Sequence, residues 1–180
     1  IAYRNTTEDA VAVFSVPDVS LASQRTLLET AKCLLVLEGI EKPGNLGAIL
    51  RTASAAGVDA LILADPAIDP FGPNVIRNAT GALFEVPLII TSTKELLPAL
   101  NEAGYTTYIT YLHDRATSMF DVKWAEKSAI VLGEEARGLS AAWNPEELEN
   151  VIIPMEGDVI DSLNVSVSAA VLMYHWKSQR

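Results

Sequence analysis

Leu35–Leu63, LVLEGIEKPGNLGAILRTASAAGVDALIL, decides how the chain is read. An apolar strand runs into a Pro-Gly-Asn turn, and a helix follows with apolar residues spaced by three and four from Leu46 to Ala56. Gly57 stands where a helix C-cap belongs. A second apolar strand, Ala60–Ala64, comes next. Such a unit places helix N–H groups beside the carboxyl end of a strand, the position at which open α/β sheets bind ligands. It also carries one arginine, Arg51, six residues after Asn45. Nothing in maintaining the fold requires that arginine.

Outward from this stretch, short aliphatic and β-branched runs recur at Val86–Thr91, Thr107–Leu112, Ala129–Leu132 and Val151–Met155, and Leu34–Leu37 belongs to the opening unit. Helical patterns lie between several of them. Ser92 and Glu95 form a capping box for a helix through Ala103, with Pro98 expected to kink or shorten it. Asn164–Lys177 closes the chain as a helix with Val165, Ala169, Leu172 and Trp176 on one side. Near-continuous apolar strands alternating with helices predict an α/β fold, a mostly parallel sheet covered on both faces.

The first thirty residues offer less. Ala10–Val16 reads as a short strand and Ser20–Lys32 as a helix. Residues 1–32 are therefore expected to be an N-terminal extension, the remnant of or linker from an upstream domain, with the functional domain at 33–180.

Composition bounds the function. The chain has 180 residues, 49% hydrophobic and 20% charged, which is globular composition for one domain with a sizeable core. No run is long and apolar enough to span a bilayer and no signal-peptide pattern opens the chain, so a soluble cytoplasmic protein with no membrane partner is expected. Cys33 is the only cysteine, which excludes an intrachain disulfide and a cysteine zinc cage. No metal site is expected. The net charge of −10 argues against nucleic acid, because phosphate binding calls for a basic surface. Arg4, Arg25, Lys42, Arg51, Arg77, Arg115 and Arg137 would have to gather locally to offset it.

Several familiar sites are missing. The ten glycines form neither a G-x-G-x-x-G nor a Walker pattern, His113 and His175 are isolated, and no serine lies in a nucleophile elbow. Three segments remain, each where an apolar strand gives way to a loop: PGNLGAILR (Pro43–Arg51), IVLGEEARGLS (Ile130–Ser140) and VIIPMEGDVIDSLNVSVSAA (Val151–Ala170). Gly133 and Gly138 bracket the second loop and allow close backbone approach to a ligand. Taken singly, each segment has a plain reading: Asn45 as a helix N-cap, Glu135 as a partner of Arg137, Ser162 as the cap of the last helix. Together they fit one shared pocket better.

In order and spacing, PGNLGAILRTA, LGEEARGLS and IPM followed by SLNVSV resemble the three motifs of the SpoU/TrmH family of RNA ribose 2′-O-methyltransferases, within the SPOUT class. The likeness runs from about Leu35 to Trp176, and NATGALFEVPL from Asn78 resembles the family's connecting region. Glu134 departs from the asparagine common in relatives, and the stretch between Met155 and Ser162 is about one residue longer.

The resemblance implies a C-terminal deep trefoil knot, although physical rules alone would argue against one. It implies S-adenosylmethionine as cofactor, with S-adenosylhomocysteine as product, held by Gly133, Ile153 and Leu163 and by Thr110, Leu132 and Met155. It implies methyl transfer to a ribose 2′-hydroxyl of tRNA or rRNA, with Arg51, Asn45, Glu135, Ser162 and Asn164 as the catalytic set, and a homodimer with the active site near the subunit interface. Guanidinium stays protonated in proteins, so Arg51 is assigned phosphate positioning and alkoxide stabilisation rather than the role of base. Ser162 and Asn164 are assigned to orienting Arg51 or the substrate, and Glu135 to holding its loop. Two alternatives stand beside this reading: a catalytically silent cofactor- or RNA-binding module of the same fold, and an unrelated small-molecule α/β enzyme, which the acidity favours.

Overall fold

The computed structural model describes residues 13–134, 137–156 and 162–180. Seven strands, β1 (Cys33–Glu38), β2 (Ala60–Ala64), β3 (Leu88–Thr91), β4 (Thr106–Ile109), β5 (Thr117–Ser118), β6 (Ser128–Leu132) and β7 (Glu149–Ile152), form one sheet in the order β3-β2-β1-β6-β4-β7-β5. Every pairing between them is parallel. The α/β reading of the sequence holds.

β1 shows why. All six of its residues are buried, because side chains alternate between two faces and both faces are covered. Cys33, Leu35 and Leu37 join a core with Leu46, Ile49 and Leu50 of α2 (Pro43–Ala56) and with Leu172 and Trp176 of α5 (Val165–Ser178). Leu34 and Val36 point the other way, into a core with Leu28 of α1 (Arg25–Thr30) and with Leu96 and Leu100 of α4 (Thr93–Glu102). Burial places the Cys33 thiol deep in the first core and pushes its pKa up to about 12, so it packs as an apolar group.

Four sequence expectations are corrected. Pro43-Gly44-Asn45 is not a turn but the first turn of α2, since Pro at N1 is preorganised for a helix and sacrifices no hydrogen bond there. The part of the Ala10–Val16 strand that falls within the described residues, Val13–Val16, is irregular: Val13, Phe14 and Val16 are exposed, and none of these residues pairs with a strand among the described residues, while residues 10–12 lie outside them. The helix expected over Ser20–Lys32 contracts to α1, because Ser20 instead bridges Ile90 beside β3 and bonds Ser23 through its hydroxyl. Helix α5 is capped not by Ser162 but by Asn164, whose Oδ1 accepts from Ser166 N at 3.0 Å.

Other elements agree. Gly57 caps α2 at φ +76°, its N–H bonded to Ala53 O at 3.0 Å. Ser92 caps α4, and that helix continues past Pro98. Residues 19–32 pack onto the domain: Ile90 N donates to Val19 O at 2.8 Å, and the Tyr105 hydroxyl donates to the carbonyls of Leu28 and Ala31.

The chain runs outward from β1 through β2 to β3, crosses back along α4 to β4, and leaves a gap that β6 fills. That reversal is the switch point at which an open parallel sheet leaves a crevice at the carboxyl ends of its strands.

Candidate functional site

The crevice is present. A pocket of about 610 Å³ opens where β4, β6 and β7 end, walled by Thr110–Leu112, Leu132–Glu134, Gly138–Leu139, Val151–Ile153 and Met155, and closed by Ser162–Val165. Thr110, Leu132, Gly133, Ile153, Met155 and Leu163, the six residues assigned to a cofactor, all line it.

Gly133 explains the shape of one wall. A Cβ at this position would lie 2.3 Å from the Gly138 carbonyl carbon and 2.5 Å from Leu139 N, so only glycine permits the two backbone segments to touch. Gly138 adopts φ +69°, and Glu134 and Gly138 exchange backbone hydrogen bonds of 3.2 and 2.8 Å. The wall is thus mostly backbone, offering peptide groups to a polar ligand. Leu139, Val151 and Val165 supply the apolar surface around them.

The pocket reaches α2 through two amides. Asn164 Oδ1 accepts from Ser166 N, which leaves its Nδ2 to donate to Asn45 Oδ1 at 3.3 Å. One side chain thereby caps α5 and ties the third motif to the first. Arg51 lies about 9 Å further along α2 at 1.5 Å per residue, and its side chain is exposed. Glu135 falls outside the described residues. Ser162 lines the pocket and Asn164 bonds Asn45, so Asn45, Ser162, Asn164 and the cofactor set come together.

Arg51 sits on a face of α2 set by its neighbours. One turn before it, Gly47 packs against α3 (Pro73–Ala79) so closely that a Cβ would lie 2.4 Å from Asn78 Cβ. Ser54, three residues after it, donates its hydroxyl to Glu85 Oε2 at 3.0 Å. Residues 78–85, the NATGALFE stretch, therefore run alongside the helix on either side of Arg51.

The described cations are spread over several elements: Arg25 borders a groove with Ile90 and Glu95, Arg115 pairs with Glu146, and Arg51 and Arg77 belong to α2 and α3, which pack against each other. Arg4 lies outside the described residues. Arg137 lies 3.9 Å from Glu134, a long contact for a pair with the arginine well exposed. His113 and His175 are structural: His113 faces Glu146, and His175 Nδ1 accepts the Trp124 indole N–H at 3.0 Å. Among the described residues no group of three potential metal ligands occurs, and no helix is long and apolar enough to cross a membrane.

Sequence reasoning missed Tyr111 and Leu112 in the lining. It also missed Glu38, at the carboxyl end of β1, whose carboxylate accepts from Thr93 Oγ1, Ser140 N and Ser140 Oγ, each at 2.7 Å. An acid ending a six-residue apolar strand was the available signal.

A parallel sheet with this reversal, a backbone-walled pocket at its carboxyl ends and an Asn45–Asn164 tie define an α/β ligand-binding class, and similarity to known proteins narrows it to one family. The chain belongs to the SpoU rRNA Methylase family, whose sequence model matches residues 32–174. It is 34% identical over 170 residues to the 23S rRNA (guanosine(2553)-2′-O)-methyltransferase RlmP of Bacillus subtilis, covering 94% of this chain and 65% of that protein. Among solved structures, the AdoMet-bound rRNA methyltransferase of Sinorhizobium meliloti superposes with TM-score 0.77 at 25% identity, over 84% of this chain and 59% of the other. The AdoMet complex of the SpoU methyltransferase AviRb of Streptomyces viridochromogenes gives 0.72 at 29%, over 83% and 61%. The chain thus spans between about half and two thirds of the length of the curated relatives it matches.

Proposed function

We propose that this chain transfers a methyl group from S-adenosylmethionine to a ribose 2′-hydroxyl of tRNA or rRNA. The observation that carries the reading is the pocket: six independently assigned residues line one cavity, and Asn164 joins that cavity to the helix bearing Arg51. The pocket fits the cofactor. Its backbone wall, where a Gly133 Cβ would strike Gly138, leaves room and peptide groups for a nucleoside, and its apolar lining suits an adenine ring and a methionine chain. When bound, S-adenosylmethionine supplies an electrophilic methyl on a sulfonium.

The chain's own residues do the rest. Thr110, Leu132, Gly133, Ile153, Met155 and Leu163 would hold the cofactor. Asn45 and Asn164 fix the opening toward α2. Arg51 steadies the acceptor's phosphate and the negative charge growing on the 2′-oxygen, a role suited to a planar, permanently protonated fork. The finer structural features of the reading are a trefoil knot formed by threading of the C-terminal segment, and a homodimer with its active sites near the interface. The first is supported by Ser162–Val165 and Gly138–Leu139 lining the same pocket, the second by the exposure of Val167 and Tyr174 on α5. A cytoplasmic location, and an upstream RNA-binding domain of which residues 1–32 are the remnant or linker, complete it. Two acidic subunits pooling their cations would meet RNA better than one.

Radiolabelled methyl transfer to bulk tRNA and rRNA tests the activity, with Arg51→Ala as the decisive variant. Transfer falls by about 10²–10³-fold or more, the scale of losing one transition-state charge stabiliser, while S-adenosylhomocysteine binding stays within about twofold. Arg51→Lys restores little. Wild-type protein that binds cofactor yet methylates neither RNA would establish the silent module instead.

A further inference from the structure

Glu38 is a carboxylate without a place in the lining, and it is 8% exposed. Its three donors come from two directions. Oε1 takes the hydroxyls of Thr93 and Ser140, and Oε2 takes the Ser140 backbone N–H. A carboxylate only accepts, so both hydroxyls are fixed as donors, and hydrogen bonds to an ionised group are short and strong.

Each direction leads somewhere different. Thr93 opens α4 and is itself held by Asp65, whose Oδ2 accepts from Thr93 N at 2.9 Å. That end belongs to the rigid body of the sheet. Ser140 directly follows Gly138 and Leu139, which wall the pocket, and Gly138 is pressed against Gly133. On the outer side of the same wall, Gly39 packs near Glu134 Cβ: a Cβ built on Gly39 would lie 3.7 Å from it.

We propose that Glu38 is a positioning residue for the cofactor pocket: it anchors Ser140 to the N-terminus of α4 and so holds Gly138 and Leu139 in place against Gly133. The inference rests on the reading of the pocket as a S-adenosylmethionine site for its effect on affinity, and on the hydrogen-bond geometry alone for its effect on the wall. Three separated stretches, 38, 93 and 138–140, act as one unit through a single side chain. No pocket-facing atom of Glu38 is needed.

Full-length Glu38→Ala, Glu38→Gln, Ser140→Ala, Thr93→Val and Ser92→Ala proteins, with the Glu38→Ala/Ser140→Ala double variant, are compared by amide hydrogen exchange without ligand and by calorimetric titration with S-adenosylhomocysteine. Glu38→Ala speeds exchange at residues 138–140 and weakens binding, each by about tenfold, the scale of losing a charge-assisted hydrogen bond. The double variant is no worse than Glu38→Ala within about twofold, because both changes cut one link. Glu38→Gln recovers most of the affinity: its amide oxygen accepts from Ser140 N–H and both hydroxyls rotate to accept from its NH₂. Thr93→Val, which cuts the α4 end of the anchor, shifts exchange and affinity in the same direction as Glu38→Ala but less, whereas Ser92→Ala, which removes only the α4 cap, lowers the melting temperature and leaves affinity within about twofold.

Unchanged exchange at 138–140 in Glu38→Ala overturns the proposal, as do additive effects in the double variant. If Glu38→Ala does not fold, exchange in Ser140→Ala decides it by the same criterion. Wild-type protein that takes up no S-adenosylhomocysteine refutes the cofactor reading, and the exchange measurement still decides the anchoring. Tight wild-type binding with equal affinity in the variants refutes the positioning role alone.

Discussion

The two halves of the sheet are built by different means. On one side of the centre, β1, β2 and β3 are joined through α2 and α3, and β1 and β2 are buried on both faces. On the other side, β4 and β7 have four residues each and β5 has two, and the loops that follow β4, β6 and β7 form the pocket. The first half is specified by side-chain volume. The second is specified by backbone geometry and a few polar ties, which is what a site presenting peptide groups to a ligand requires. A glycine sits at the tightest contact of each half, and this makes the contrast measurable.

The largest effect is expected at Gly133. Gly133→Ala drives a methyl into the Gly138 carbonyl at 2.3 Å and forces the pocket wall apart. S-adenosylhomocysteine affinity should fall by about 100-fold or more, since about 1 Å of misplacement at a site costs that much, while the melting temperature moves by only a few degrees. Gly47→Ala reverses the pattern. Its methyl would meet Asn78 Cβ at 2.4 Å and backbone at 2.7 and 2.9 Å, which overpacks the α2–α3 contact by about 1–3 kcal/mol in denaturant unfolding and changes cofactor affinity little. Equal ligand effects from the two substitutions would break the comparison.

Cys33 sharpens it from the core side. Burial raises its pKa to about 12, so the thiolate is scarce at pH 8. Native protein should resist iodoacetamide for as long as it stays folded, and denatured protein should be alkylated at the rate of a free cysteine.

The smallest effect lies at the α4 cap. Ser92→Ala should cost about 1 kcal/mol by loss of the Glu95 N–H bond. Glu95 is held below its ordinary pKa by hydrogen bonds from the Thr91 and Ser92 hydroxyls. Its support for the cap is therefore complete above the unfolded value of about 4.3 and is lost as pH falls through the lower folded value. Glu95→Gln should flatten that acid limb of an unfolding titration slightly.

The same contrast governs how much of the molecule was legible in the sequence. β1, β2 and β6 announce themselves because burial on both faces leaves no polar residue in the run until Glu38. α3 escaped, although Gly72 as N-cap and Pro73 at N1 mark a helix start, because Asn74, Arg77 and Asn78 give it only two buried positions, Val75 and Ala79. Val13–Val16 misled in the opposite way: its alternation is that of a strand, but no edge receives it. In the site, the glycines and the Asn164 tie lie within recognisable motifs, whereas Tyr111 and Leu112 line the pocket only because β4 stops at Ile109, and a strand end is not written in an apolar run that continues to Leu112. Assigning the α5 cap to Ser162 failed for a related reason. Both residue types cap helices, and the start of α5 at Val165 puts Asn164 rather than Ser162 at the N-cap position.

The strand order also bears on how the protein is made. A ribosome releases β1, β2 and β3 in succession, and they can pair as they emerge, but β1 waits for its second neighbour until Ser128–Leu132 have left the exit tunnel. During that interval β1, apolar on both faces, is an open edge able to recruit another nascent chain. Synthesis pauses placed before Ser128 would lengthen this exposure and lower soluble yield, whereas pauses after Leu132 would be harmless to it.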